Sequence, residues 1–384
     1  MTGKRKILFV NDEMRMGGVA RVLNTLMTYL DKDKYEIDLL VLHPHGMLMK
    51  EIPVDVNVIY GTSFFNTIDE SLSELFKTMN LKQLFNKLRL LFYMKTGLIK
   101  NKIIEERNII LNKEYDVEVA CKEGFCTIFT AFGNSKRKLN WVLTDYSVCN
   151  YSKNHMPLVK ESLSKIDLNI ADSKQALEAY FKVFDVGNGV VIHNLMDVDK
   201  VIRGMNNSDD CVIKTDGINV ITVARFHPQK SLDRLILAHK YAIDRGYDHY
   251  LYIIGSGELE PQLRKIVVDY NLNRVIFLGM KQNPYADIAK CDLYVLSSKY
   301  EGFATVINES LIAGTPVLST RVGGVEEQII DPSYGWICEN NQEALNIAYV
   351  EAIKDIDRLH KMKEDLKSYH YPNEKILKEF EEVL

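Results

Sequence analysis

Residues 299–328 read KYEGFATVINESLIAGTPVLSTRVGGVEEQ, and this stretch sets the fold expected for the chain. It begins where the apolar run Leu293–Leu296 gives out at Ser297 and Ser298, which places Glu301 on a loop at the carboxyl end of a buried strand. Open α/β sheets bind ligands at that edge. From Thr305 to Ala313 the spacing is helical, with Val306, Ser310 and Ala313 on one side, until Gly314 and Pro316 stop the helix. Glu309 is therefore expected near a helix start, one loop away from Glu301, where free N–H groups favour an anion. Carboxylates accept hydrogen bonds from sugar hydroxyls and amides hold a diphosphate, so the pattern suits a nucleotide sugar. A competing reading needs no ligand, since a Glu in a first turn also offsets the helix dipole.

The order of strand, Glu301-Gly302-Phe303, helix with Glu309, Gly314-Thr315-Pro316-Val317, second strand and Gly323-Gly324-Val325-Glu326 resembles the EX7E signature of the retaining glycosyltransferases of family 4. The resemblance continues upstream through Asn283-Pro284-Tyr285 and residues 291–300. It implies an α/β chain of GT-B fold, with two Rossmann-like domains facing each other across a cleft. It also implies retaining, metal-independent transfer from a UDP-linked sugar to a carbohydrate acceptor on a lipid carrier, as in members that build bacterial surface polysaccharides. The nucleoside diphosphate sugar is a co-substrate, and no cofactor or metal is implied.

Site residues follow from the same resemblance. Glu309 takes the ribose hydroxyls and Glu301 the donor-sugar hydroxyls, assisted by the loop amides of Gly302, Phe303, Ala304, Thr305 and Val306. Arg225 and Lys230, at the end of the strand 218–224 and the start of the next helix, hold the diphosphate. Gly279 and Lys281 meet the base, and Gly17 and Gly18 face the donor phosphates. Relatives carry Trp-x-His-x-Asp where this chain has Trp141-Val142-Leu143-Thr144-Asp145, so Leu143 removes one polar contact and Asp145 stays as a catalytic candidate, with an ordinary turn residue as its rival reading. Ala304 is a second departure, where relatives often have Gly or Pro.

At 384 residues the chain exceeds one ordinary core. Two domains are expected, 1–200 binding the acceptor and 210–370 binding the donor, with a last helix at 371–384 returning to the first. A formal net charge of −4 gives no reason to expect a nucleic-acid partner. The six cysteines (121, 126, 149, 211, 291 and 338) lack CxxC spacing and read as reduced. No run of about 18 apolar residues occurs and the N-terminus leads straight into a strand, so neither a membrane span nor a signal peptide is expected, and the location is cytoplasmic.

Further strands are expected at 6–10, 36–42, 54–60, 116–121, 139–143, 168–171, 250–254 and 274–278, alternating with helices as in parallel sheets. Gly255-Ser256-Gly257 lacks the third glycine of a dinucleotide turn and reads as a tight turn. Residues 75–104 carry Lys77, Lys82, Lys87, Arg89, Lys95, Lys100 and Lys102 with no intervening Asp or Glu, interleaved with Leu81, Leu84, Phe85, Leu88, Leu91, Phe92 and Met94. Such a segment lies peripherally on an anionic membrane, or else its apolar stripe packs inward and its lysines are solvated. Two rival functions remain: a UDP-sugar epimerase of GT-B fold, which would turn over donor without acceptor, and a non-catalytic membrane-adaptor subunit.

Overall fold

The computed structural model describes residues 3–15, 17–68, 72, 75–76, 80–144, 146, 155–207, 211–213 and 217–384. It divides into two compact units, Met1–Leu195 with Asn373–Leu384, and Met196–Pro372. Each is a parallel sheet covered by helices, and the strands accordingly read as apolar runs rather than alternating patterns.

In the first unit, β1 (Arg5–Asn11), β2 (Tyr35–Val41), β3 (Asn57–Tyr60), β4 (Val117–Ala120), β5 (Arg137–Val142), β6 (Leu168–Ala171) and β7 (Gly189–Val191) align in the order β3-β2-β1-β4-β5-β6-β7. Ile7 to Val10 are fully buried at its centre. β3 starts later than its apolar run because Pro53 closes a turn, its carbonyl accepting from Val56 N–H at 3.1 Å. The terminal helix Asn373–Val383 belongs to this unit: Phe380 meets Trp141 edge-on at 5.5 Å, and Asn373 donates to the Tyr29 hydroxyl at 3.2 Å.

In the second unit, β8 (Ile218–Val223), β9 (His249–Ile254), β10 (Val275–Gly279), β11 (Leu293–Leu296), β12 (Val317–Thr320) and β13 (Gly335–Cys338) run β10-β9-β8-β11-β12-β13. The helix Val198–Asn206 goes with this unit, held by the Asn283 amide, which donates to Gly204 O at 2.9 Å. In both sheets the strand order turns back on itself once, between β1 and β4 and between β8 and β11. These switch points open a crevice outside the carboxyl ends of the central strands.

The basic segment folds as two helices, Leu81–Thr96 and Ile99–Ile110. Asn80 caps the first by accepting from Gln83 N–H, and Gly97, at φ 74°, ends it. Its apolar stripe is mostly turned outward, although Leu84 is half-buried and Met94 packs against the core. Leu81, Phe85, Leu88 and Phe92, spaced to share one face, are all exposed, whereas Asn86 and Leu90 are buried. On this helix two of the cations turn toward the domain instead of solvent. The Lys87 ammonium donates to Thr67 O at 2.8 Å, and the Arg89 guanidinium lies 5.3 Å from the Phe64 ring centre. Lys77 lies outside the described residues.

Beneath the second sheet, His239 Nδ1 and His249 Nε2 are 2.8 Å apart, and the same Nε2 is 2.9 Å from the Tyr349 hydroxyl. Both rings are buried. Burial lowers His239 to about 2 and His249 to about 4, so both stay neutral in the folded chain.

Candidate functional site

The switch point of the second unit is formed by the loop after β8 and the loop after β11. Side chains and backbone stitch the two loops together. Lys299 N–H donates to Gln229 O at 2.8 Å, Ser297 Oγ donates to Lys230 O at 2.9 Å, and the Gln229 amide donates to Tyr300 O at 2.9 Å. The β8 loop is also tightly turned, with Lys230 N–H bonded to His227 O at 3.0 Å and Ser231 left-handed at φ 47°. That turn brings Lys230 against Glu301: Nζ is 2.6 Å from Oε1, with the two side chains only 17% and 10% exposed. Gln229 holds the other carboxylate oxygen, its Nε2 lying 3.3 Å from Oε2.

Two glycine pairs shape these loops. A Cβ at Gly324, itself at φ 73°, would come 2.7 Å from the Phe303 ring and 3.0 Å from Gly302 O. A Cβ at Gly257 would meet Phe226 N and O at 2.8 and 2.5 Å. Gly323-Gly324 therefore lets the Glu301 loop nest closely, and the turn at 255–257 does the same for the Arg225 loop, where Phe226 N–H donates to Ser256 O at 2.9 Å. That close approach accounts for a glycine turn lacking the third glycine of a dinucleotide site.

The helix Thr305–Ile312 begins at Ala304 without a side-chain cap, so the amides of its first turn are not taken up by a capping side chain. Phe303 and Ala304 are buried, while Gly302, Thr305 and Val306 are half-buried. Glu309 is the fifth of the eight helical residues, further along than the sequence spacing placed it, and is 7% exposed. The Tyr285 hydroxyl donates to Glu309 Oε1 at 3.3 Å. Tyr294, on β11, sits within the field of both carboxylates: burial pushes its hydroxyl upward, and Glu309 and Glu301 push in the same direction. Its hydroxyl is fixed 3.2 Å from Val223 O.

Of the residues named from the sequence, Lys230, Glu301, Gly302, Phe303, Ala304, Thr305, Val306 and Glu309 are gathered on these two loops and the helix between β11 and β12. Arg225 heads the β8 loop with its side chain exposed, unlike Lys230. Gly279 ends β10 at φ 70°, and the Lys281 ammonium binds Asp287 Oδ2 at 2.6 Å. Gly17 and Gly18 stand at the first unit's own switch point, at the start of the helix Gly18–Tyr29, where a Cβ on either would meet nothing within 4 Å. Asp145 lies outside the described residues. His155 opens the helix His155–Leu163 against Phe125, ring centres 5.8 Å apart, and burial lowers its pKa.

Three residues went without a role in the sequence reading: Gln229, Tyr285 and Tyr294. Gln229 adjoins Lys230 and Tyr285 lies in the Asn283-Pro284-Tyr285 stretch, so proximity to a quoted motif was the available signal.

Residues 206–369 match the family described as glycosyl transferases group 1. Over 90% of its length the chain is 27% identical to N-acetylgalactosamine-N,N'-diacetylbacillosaminyl-diphospho-undecaprenol 4-alpha-N-acetylgalactosaminyltransferase of Campylobacter jejuni, covering 89% of that protein. N-acetyl-alpha-D-glucosaminyl L-malate synthase of Bacillus anthracis is 27% identical over 43% of the chain and 44% of its own length. Among solved structures, Anabaena HepE in complex with UDP and glucose superposes with a TM-score of 0.70 at 18% identity, over 99% of both chains. Among the described residues, no helix is long and apolar enough to cross a membrane.

Proposed function

This chain carries a glycosyl transferases group 1 domain at residues 206–369 within a GT-B fold, and we propose that it is a retaining hexosyltransferase moving a sugar from a UDP-linked donor to a lipid-linked glycan. The observation that carries the reading is the Lys230–Glu301 pair at the switch point of the second sheet, with Arg225 on the same loop as Lys230 and Glu309 on the helix that follows Glu301. Glu309, oriented by Tyr285, accepts hydrogen bonds from the ribose hydroxyls. Glu301 does the same for the donor sugar. Arg225 and Lys230 offset the negative charge that grows on the leaving diphosphate as the glycosidic bond breaks, which is metal-independent chemistry. The uncapped amides at Thr305 and Val306 add dipole stabilisation. No enzymic nucleophile is assigned: the leaving phosphate takes the acceptor proton on the same face, which preserves configuration.

UDP as the nucleotide is supported by the HepE complex, and a lipid carrier by the diphospho-undecaprenol in the name of the Campylobacter relative. On this reading residues 210–370 bind the donor, residues 1–200, with the terminal helix, bind the acceptor, and Gly17 and Gly18 face the donor phosphates. The outward Leu81, Phe85, Leu88 and Phe92, with exposed Lys82 and Lys95 beside them, support peripheral contact with the anionic inner face of the membrane. The test is donor turnover, with and without acceptor, by Glu309→Ala and Arg225→Ala proteins. Unchanged activity would sink the site assignment, and turnover without acceptor that yields an epimer would favour the epimerase.

A further inference from the structure

In the structure, Lys230 and Glu301 are each other's principal partners, and the Proposed function gives each a different ligand group. We infer that the Lys230–Glu301 ion pair is an exchange latch, broken by the diphosphate of an arriving donor and re-formed against the spent nucleoside diphosphate. The inference rests on the nucleotide-sugar reading of this site.

The geometry sets up the competition. At 2.6 Å and largely shielded from water, the pair is too close to admit a phosphate oxygen between its members. The Lys230 ammonium has further donors, but the one aimed at Oε1 is taken, so a diphosphate that draws the ammonium toward itself competes with Glu301 for it. Glu301 does not drift when this happens, because the Gln229 amide still holds Oε2 from the same loop that carries Lys230. An intact donor compensates the released carboxylate, since its sugar hydroxyls donate to the vacated oxygen. A nucleoside diphosphate without the sugar offers no such donor, so Glu301 is left partly buried without its cation, and re-pairing with Lys230 opposes retention. The latch thus separates substrate from product by the presence of the sugar alone, and assists product release after transfer.

Glu301→Gln keeps the shape and the Gln229 contact while removing the charge that competes for Lys230. Calorimetric titration of the full chain with UDP is expected to show roughly 3- to 10-fold tighter binding in the variant, a gain of order 1 kcal/mol. UMP, too short to engage Lys230, is expected to bind both proteins alike, which also reports that the variant is folded. In a Lys230→Met background the gain for UDP should vanish, as a double-mutant cycle requires for a coupled pair. UDP binding that is unchanged or weaker in Glu301→Gln overturns the latch, and so does a gain that persists without Lys230, because simple repulsion by Glu301 would then explain it. Wild-type protein that fails to bind UDP at all overturns instead the nucleotide reading on which the latch rests.

Discussion

The two units share an architecture and differ in how their switch points are finished. In the second, two loops are tied by hydrogen bonds that cross between them, and these hold Lys230 and Glu301 in place. In the first, a Cβ at Gly17 or Gly18 would meet nothing within 4 Å, and the helix Leu81–Thr96 turns Leu81, Phe85, Leu88 and Phe92 outward. A site that must stabilise a developing charge gains from fixed groups. A surface that must meet a large or membrane-borne partner gains from exposure. The family match covers residues 206–369 and so falls on the preorganised side.

The largest effect that would break this contrast is at Glu309. Replacing it with Ala should lower kcat/KM about 100-fold, from a loss of roughly 3 kcal/mol for hydrogen bonds to a charged group. An effect under a few-fold would show that its burial beside Tyr285 is structural. Arg225→Ala should cost about 10- to 100-fold, mostly in kcat, because one charge-assisted contact is worth roughly 1.5–3 kcal/mol. Since its side chain is exposed, the melting temperature should stay unchanged.

A third comparison is between the two cores under acid. His239 and His249 are held below their ordinary value, so the unfolded chain binds more protons than the folded one as pH falls below about 6.5. Stability is therefore full above that pH and declines toward pH 4, by roughly 2 kcal/mol per histidine at pH 5. Urea unfolding followed by Trp336 and Trp141 fluorescence should show the second unit losing stability more steeply, and equal loss in both units would contradict it. The smallest effect on turnover is at Tyr285. Tyr285→Phe should raise donor KM about 5-fold with kcat little changed, in keeping with about 1 kcal/mol for one hydrogen bond, and the penalty should disappear for a donor lacking ribose hydroxyls.

On the first unit, Phe85→Ser with Phe92→Ser should reduce flotation with anionic vesicles while leaving turnover of soluble substrates intact. Lys87 and Arg89 are poor probes of the same idea, because one donates to Thr67 O and the other covers Phe64.

The sequence was informative where local pattern and chemistry coincide. The apolar runs at 293–296 and 218–224, which give out at Ser297-Ser298 and at Arg225, located the strands, and their carboxyl ends located Glu301 and Lys230. It was less informative where long-range partners decide. Nothing local says that Lys230 is paired with Glu301 while Arg225 is exposed, because the distinction depends on the left-handed Ser231 and on two loops far apart in sequence. The helix 81–96 left two readings open: an apolar stripe at helical spacing shows that a face exists, not which side is already covered. Asn86 and Leu90 took the inward position, and the longer apolar row was left outside.

The most direct test of the preorganised donor site is calorimetric titration of UDP into wild-type, Arg225→Ala and Glu309→Ala proteins. The account predicts saturable one-to-one binding by the wild type, weakened at least 10-fold in each variant. Binding of equal strength in all three would contradict it.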